Sequence, residues 1–284
     1  MITSLGFLGE TLIYGNDELS ATLNLPAKTI VFRLNTTEFN PVLIRNSGWG
    51  EATEILQLDP YTFQITYPLT DWSSRFNTLN ARLVEVIAFN AEGITNLNLC
   101  FGQSHELTKV GILINTDSVT DMSYMFQDCD GLTKIPWFNT SNVTNMEGMF
   151  YNTPHLENIP WLDTHNVTNM AKMFMLNASY NNLPSLILPH FDMSNVVTCQ
   201  EMFRGNDRPM DMPLWMVLPK LENVYMMFEN AGYANPYQIN SMYNKLRKLA
   251  TLLSHVDCFR YTGSYIDNNI WQLLPYDWGG LVVD

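Results

Sequence analysis

A nine-residue string that ends in phenylalanine recurs along the middle of this chain. Three copies are nearly identical: SVTDMSYMF at Ser118–Phe126, NVTNMEGMF at Asn142–Phe150 and NVTNMAKMF at Asn166–Phe174. Looser copies end at Phe101, Phe203 and Phe228, so the six phenylalanines are separated by 25, 24, 24, 29 and 25 residues. A fixed step near 24 residues is typical of a repeat protein, in which each unit packs only against its neighbours.

Each repeat has two halves that differ in apolar spacing. In the first half, Val143, Met146 and Phe150 stand at i, i+3 and i+7, which is typical of the apolar face of a short helix. In the second half, Leu132–Phe138 and Leu156–Leu162 place apolar residues in a short extended segment that contains a proline. The sequence therefore predicts an α/β solenoid of about six leucine-rich-repeat-like coils, each with one strand and one helix. The predicted repeat core consists of Phe101, Phe126, Phe150, Phe174, Phe203, Phe228, Val143, Met146, Val167 and Met170.

A column of Asx residues comes just before the predicted helix in five repeats: Asn90, Asn115, Asn139, Asp163 and Asp192. Such side chains can bond to the backbone of their own turn and of a neighbouring turn. We therefore expect the column to close the corner between strand and helix. The same expectation explains Asp163 and Asp192 better than a pair of catalytic carboxylates does.

The repeat pattern L-x-x-I-P-x-F/L-N/D-T-x-N-V-T-N-M-x-x-M-F resembles the leucine-rich repeats of the BspA type, also described as the mycoplasma-lipoprotein or surface-protein repeat. The resemblance covers about Leu79 to Phe228. It implies a right-handed solenoid with strands on one side and helices on the other. Members of that family are mostly bacterial or protist surface adhesins, and similar repeats occur in phage structural proteins.

The flanks of the repeats differ from them in composition. Residues 1–68 contain β-forming runs at Leu19–Leu25, Thr29–Leu34 and Tyr61–Tyr67, which predict a β-rich N-terminal domain and a candidate anchor. Residues 69–228 form the predicted solenoid. Residues 229–284 form the predicted helical and aromatic C-terminal cap, with a helix over Pro236–His255 and a tail, Trp278–Asp284, that could pair as a last strand or dock on a partner.

Charge and hydropathy narrow the range of partners. The chain has 28 acidic and 15 basic residues, a net charge of −13, so it should repel nucleic acid and anionic membranes. No run approaches the roughly 18 apolar residues of a membrane-spanning helix. The N-terminus shows neither the positive segment nor the long apolar segment of a Sec signal peptide, so none is expected.

Residues that carry metal or catalytic chemistry do not occur at the usual spacings. The four cysteines form no CxxC pair and are interpreted as buried thiols. Methionine pairs such as Met146 and Met149 could bind Cu(I), but their recurrence at one repeat position favours core packing. GxSxG, HExxH and P-loop motifs are absent from the sequence. We therefore predict no cofactor, no metal and no enzymatic activity.

An interaction surface is the remaining functional feature. Trp137 and Trp161 occupy equivalent positions after Ile-Pro and could form either a buried column or an exposed aromatic ridge, and Tyr151 is expected to point outward. Exposed aromatic residues favour recognition of protein or sugar. Trp137, Trp161 and Tyr151 are therefore the candidate partner contacts.

These features favour a non-enzymatic binding or structural protein. One hypothesis is a phage virion component, a tail or capsid decoration whose N-terminal domain attaches to the particle. The other is a bacterial surface adhesin or effector, located at the cell surface or secreted without a Sec signal. The expected partner is a protein of the virion or host surface or else a glycan, and the chain could oligomerise within an assembly.

Overall fold

The computed structural model describes residues 25–38, 40, 42, 50–76, 79, 82–157, 159–177, 189–206, 216–231, 236–261 and 274–279. The strands are β1 (Thr29–Leu34), β2 (Glu54–Gln57), β3 (Thr62–Thr66), β4 (Leu83–Asn90) and β5 (Lys109–Ile114); they are followed by α1 (Pro236–Leu246) and a 3-10 turn (Tyr276–Trp278). Most of the predicted strand at residues 19–25 and the last five residues of the predicted final strand lie outside the described residues.

The five strands form one mixed sheet in the order β2-β3-β1-β4-β5. The β2–β3, β1–β3 and β1–β4 pairs are antiparallel, and the β4–β5 pair is parallel. In β1 the central residue Phe32 is fully buried and lies opposite Phe63 on one side and Val86 on the other. The sheet thus combines strands from both sides of residue 68, the predicted domain boundary.

Beyond the sheet, the repeats lie side by side in parallel and are joined by isolated β-bridges. One bridge per repeat connects the residues of a single column: Asp71, Asn96, Asp121, Asn145, Asn169, Thr198, Asn223 and Ser254. We call the described residues from 70 to 261 the repeat stack. Because each bridge joins one repeat to the next, the stack is held by neighbour contacts, as the constant step predicts.

The first half of each repeat is a pair of tight turns, so the predicted helices are wrong. The amides of Met146, Gly148 and Phe150 donate to carbonyl oxygens of the next repeat at 2.8–3.0 Å. The Met149 and Tyr151 amides instead donate to the carbonyls three residues earlier, those of Met146 and Gly148, and so close β-turns. An α-helix needs these amides for its own carbonyls four residues earlier. The φ angle of Gly148, +57°, also places it in the left-handed region that interrupts a helix.

The predicted helical cap is wrong as well. Helix α1 ends at Leu246 rather than at His255. After it, the chain rejoins the stack, because the Val224 amide donates to the Ser254 carbonyl at 2.8 Å. The helix is therefore an insertion between two repeats. With turns in place of helices, and a mixed five-stranded sheet at one end, the predicted α/β solenoid with a helical cap does not describe this fold.

A column of phenylalanine rings forms the centre of the core. Adjacent rings are 5.4–6.0 Å apart and within 16° of parallel from one end to the other: Phe101, Phe126, Phe150, Phe174, Phe203, Phe228 and Phe259. Phe76 and Phe32 continue the column into the sheet. Trp278 lies over Phe259 at 6.3 Å and covers the other end.

Candidate binding surface

Trp137 and Trp161 are both exposed, with 49 % and 57 % of their surface accessible. The sequence left open whether these residues are core or surface, and the structure places them on the surface. Each precedes a buried residue, Phe138 or Leu162. We call Trp137 and Trp161 the tryptophan ridge.

The position of the ridge follows from strand alternation and from proline. Phe138 and Thr140 are buried. Because successive side chains of an extended segment point in opposite directions, Trp137 and Asn139 are directed outward. Parallel pairing on this side reaches Lys134, which bridges to Lys109. Proline lacks an amide hydrogen and cannot extend the ladder. The residues after Pro136 therefore need not pair in a strand, and the indole of Trp137 can face the solvent.

The Asx column borders the ridge and is fixed by short hydrogen bonds. The Asn139 Oδ1 accepts from the Ser141 amide at 3.0 Å, and its Nδ2 donates to Asp117 Oδ1 at 2.6 Å. The Asp163 Oδ1 accepts from the His165 amide at 3.2 Å and lies 2.7 Å from His165 Nδ1. These side chains therefore have defined orientations at the surface.

The other members of the Asx column make similar contacts. Asn90 Oδ1 accepts from the Glu92 amide at 3.1 Å and from Asn115 Nδ2 at 3.0 Å. Asp192 Oδ1 accepts from the Ser194 amide at 2.9 Å. The Ser194 hydroxyl and amide hold the pKa of Asp192 below its usual value. The donors at this corner therefore stabilise the ionised carboxylate of Asp192.

A buried threonine column beneath the Asx column was missed by the sequence reasoning. The hydroxyls of Thr116, Thr140 and Thr164 donate to the carbonyl of the Asx residue in the following repeat at 2.6, 2.8 and 2.9 Å. All three threonines are nearly inaccessible to solvent. The signal was present, because an Asx-Thr pair recurs in three successive repeats.

A second column of Asx side chains supports the turns and was also missed. Asp121, Asn145 and Asn169 each accept, through Oδ1, from the amide two residues later at 2.8–3.1 Å. These residues are also the bridge residues of their repeats. The Asn of V-T-N-M therefore serves as a turn residue, although the same position also fits the first turn of a helix.

Tyr151, the third candidate contact, is partly buried in the turn half of its repeat. Burial raises the pKa of its hydroxyl, and the carboxylates of Asp128 and Glu201 act in the same direction. Its charged neighbours belong to turn segments. Tyr151 is therefore assigned to the turn side and not to the tryptophan ridge.

The predicted core residues lie together in the interior. Every phenylalanine, valine and methionine of the predicted repeat core is fully buried, and the methionines flank the phenylalanine column. The cysteines Cys100, Cys129, Cys199 and Cys258 are free and buried. Burial raises the pKa of each thiol, in Cys199 to about 12. At neutral pH these thiols are protonated and pack as small apolar groups.

An open polar groove of about 390 Å³ lies on the turn half of the stack and is lined by Glu147, Asn169, Lys172, Thr198 and Glu222, among others. Glu147 accepts from Asn169 Nδ2 at 3.1 Å and lies 3.9 Å from Lys172 Nζ. Of the charged side chains that line the groove, Glu147 and Lys172 thus lie within ion-pair distance of each other.

Two further findings concern the described residues only. They contain no group of three or more His, Cys, Asp or Glu side chains placed to hold a metal ion. None of their helices has the length and apolar character needed to cross a membrane.

Comparisons with known proteins give one family. No curated protein and no solved structure matches the chain. A family model matches residues 70–158 and 130–242, which together exceed half of the sequence and contain most of the repeat stack. The description of the family names mycoplasma and mentions no phage, so the hypothesis of a phage virion protein has no support and is withdrawn. The chain belongs to the family described as "Mycoplasma protein of unknown function, DUF285".

Proposed function

We propose that this chain is a non-enzymatic binding protein that presents its tryptophan ridge to a protein or glycan on a cell surface. The observation that supports the proposal is the exposure of Trp137 and Trp161 at equivalent positions of adjacent repeats. Tryptophan is among the residues that contribute most to binding energy when a partner covers it. About half of each tryptophan remains accessible to solvent at two successive repeats, which is surface that a partner can cover.

The rigidity of the surface around the ridge also supports a binding role. Phe138 and Leu162, next to the indoles, are anchored in the core. Thr140, directly after Asn139, is hydrogen-bonded to the next repeat. A surface held in this way loses little conformational entropy when a partner binds. The repeat stack therefore acts as a preorganised scaffold.

The resemblance to BspA-type repeats supports a location at the cell surface, because those proteins are mostly adhesins. The family description names mycoplasma but no activity. The BspA-type assignment, the surface location and the adhesin role are all parts of this proposal.

The proposal can be tested by cell binding of the full-length chain. A Trp137→Ala/Trp161→Ala double variant should bind cultured epithelial cells at least about tenfold more weakly than the parent chain, since each indole contributes on the order of 1 kcal/mol or more. The matched control is Val217→Ala/Leu253→Ala, which removes two side chains that are 68 % and 78 % exposed elsewhere in the stack. Circular dichroism checks that both variants fold. Equal binding by the folded tryptophan variant and the parent chain would refute the proposal.

A further inference from the structure

We infer that the tryptophan ridge, with its bordering Asx residues, binds an extended and uncharged glycan. The inference rests on the proposed function and specifies its partner. Its basis is a pair of surface units, Trp137 with Asn139 and Trp161 with Asp163. In each unit the indole and the Asx side chain are two residues apart on the same face of an extended segment.

The composition of each unit fits the chemistry of a sugar. A pyranose ring has an apolar face of C–H groups, which stacks on an aromatic ring, and a rim of hydroxyl groups, which both donate and accept hydrogen bonds. The indole provides an aromatic face. The Asn139 amide can donate and accept, and the Asp163 carboxylate can accept. Both are held in place by neighbouring amides, at 3.0 Å from Ser141 and 3.2 Å from His165.

The surroundings of the ridge are less suited to a protein interface. Trp137 and Trp161 are the only large hydrophobic residues that are exposed among the described residues from 70 to 175. Thr133 and Lys134, four and three residues before Trp137, are exposed and polar. A protein interface places its hot spots within a broad apolar centre. The two indoles lie among polar groups, so they can stack on a ligand but do not form the broad apolar centre of a protein interface.

The repeat geometry favours a linear polymer. The phenylalanine rings of the repeats that contain the ridge, Phe126, Phe150 and Phe174, are 6.0 and 5.7 Å apart. That interval is close to the length of one sugar unit in an extended polysaccharide. Trp137 and Trp161 are one repeat apart, so we expect a similar interval between their indoles, which would let them engage successive sugars of one chain. Linked contacts of this kind raise the affinity above that of a single contact.

The balance of charge disfavours polyanionic glycans, although exposed Lys134 provides one cation near Trp137. The whole chain carries a net charge of −13. Locally, the carboxylates of Asp117 and Asp163 lie at the edge of the ridge. Sulfated or uronic acid polymers would be repelled by this surface. The expected ligand is therefore a neutral glycan.

The first test uses defined probes with the full-length chain. Three probes are titrated by calorimetry: neutral hexasaccharides of β-1,4-linked glucose and of β-1,4-linked N-acetylglucosamine, and heparin. Trp161→Ala should weaken binding of a neutral hexasaccharide by about tenfold, whereas Trp161→Phe, which keeps an aromatic ring, should retain most of it. Leu253→Ala, at an exposed site elsewhere in the stack, should leave binding unchanged.

The second test treats the cells with periodate, which cleaves sugar diols, or with protease. Tryptophan-dependent binding that periodate abolishes and protease spares supports the inference. Tryptophan-dependent binding that protease abolishes and periodate spares overturns the glycan assignment but leaves the proposed binding function intact. Binding to heparin in preference to every neutral probe overturns the uncharged assignment. Cell binding that never depends on the tryptophans overturns the inference and the proposed function together.

Discussion

Phe150→Ala is the sharpest test of the repeat stack. Phe150 is fully buried, and its ring lies 6.0 Å from Phe126 and 5.7 Å from Phe174, at angles of 3° and 14°. Truncating a buried phenylalanine to alanine costs about 3–5 kcal/mol through lost transfer energy and the remaining cavity. Two stacked ring pairs, each worth about 0.5–1.5 kcal/mol beyond burial, are lost together. The upper half of the range, about 4–5 kcal/mol, is therefore expected.

The measurement is guanidinium unfolding of the full-length chain, followed by circular dichroism and tryptophan fluorescence. Phe150→Leu refills much of the cavity and should cost less than half as much as Phe150→Ala. Val217→Ala, at a side chain that is 68 % exposed, should change stability by about 0.5 kcal/mol or less. Coincident transitions by both probes would show that the stack unfolds as one unit. If Phe150→Ala were no more destabilising than Val217→Ala, the phenylalanine column would not be the core.

Three further predictions follow from single contacts. Gly148→Ala should destabilise the chain by about 1–3 kcal/mol in thermal unfolding, because its new Cβ would overlap the ring of Tyr124. Lys172→Ala, at the same φ of +57° and with a Cβ already present, should be nearly neutral. Thr140→Val should reduce the stability of the chain by about 1–3 kcal/mol, because it leaves a buried carbonyl short of a donor. Thr144→Val, which removes an exposed hydroxyl hydrogen bond, should reduce the stability clearly less. Equal losses of stability would contradict the role of the buried threonine column. The thiol of Cys199, whose pKa burial raises to about 12, should not react with Ellman's reagent at pH 8 until denaturant is added, and rapid labelling of the native chain would show that it is accessible.

The repeat step, the apolar positions and two of the strands could be predicted from sequence because each has a local signature. The predicted strand Thr29–Leu34 coincides with β1, and β3 lies within the predicted Tyr61–Tyr67. Both are runs of β-branched and aromatic residues. The strands β4 and β5 were not separated from the repeats, because their pairing in the mixed sheet depends on partners far away in the chain.

The turn half of each repeat could not be derived in the same way. Apolar residues at i, i+3 and i+7 face inward in a helix and also in two consecutive tight turns. The choice between them depends on where the backbone amides donate. For Met146 and Phe150 the acceptors are Asn169 and Met173 in the next repeat, about one full step away. No local propensity encodes that partner, and the bonds between repeats satisfy the amides that a helix would need.

The last repeat was missed for a related reason. Phe259 stacks on Phe228 at 5.5 Å, but α1 lies between them in sequence and breaks the constant step. Trp278 then covers Phe259, with its ring also 4.4 Å from His255. A repeat stack needs such a cover because its last unit would otherwise expose an apolar face. The tail was thus predicted as a strand or a partner contact, whereas its described part closes the core.

The variable position of the repeats is the one that faces the solvent. In three repeats a Pro-x-Phe/Leu sequence directly precedes a residue of the Asx column, and there x is Trp137, Trp161 and His190, all exposed. The next position is always a buried apolar residue, because the core allows little change in volume or polarity there. The exposed position carries no such constraint and can change from repeat to repeat without cost to the fold. A binding surface on this protein is therefore expected where the repeat permits variation, and the two tryptophans occupy that position.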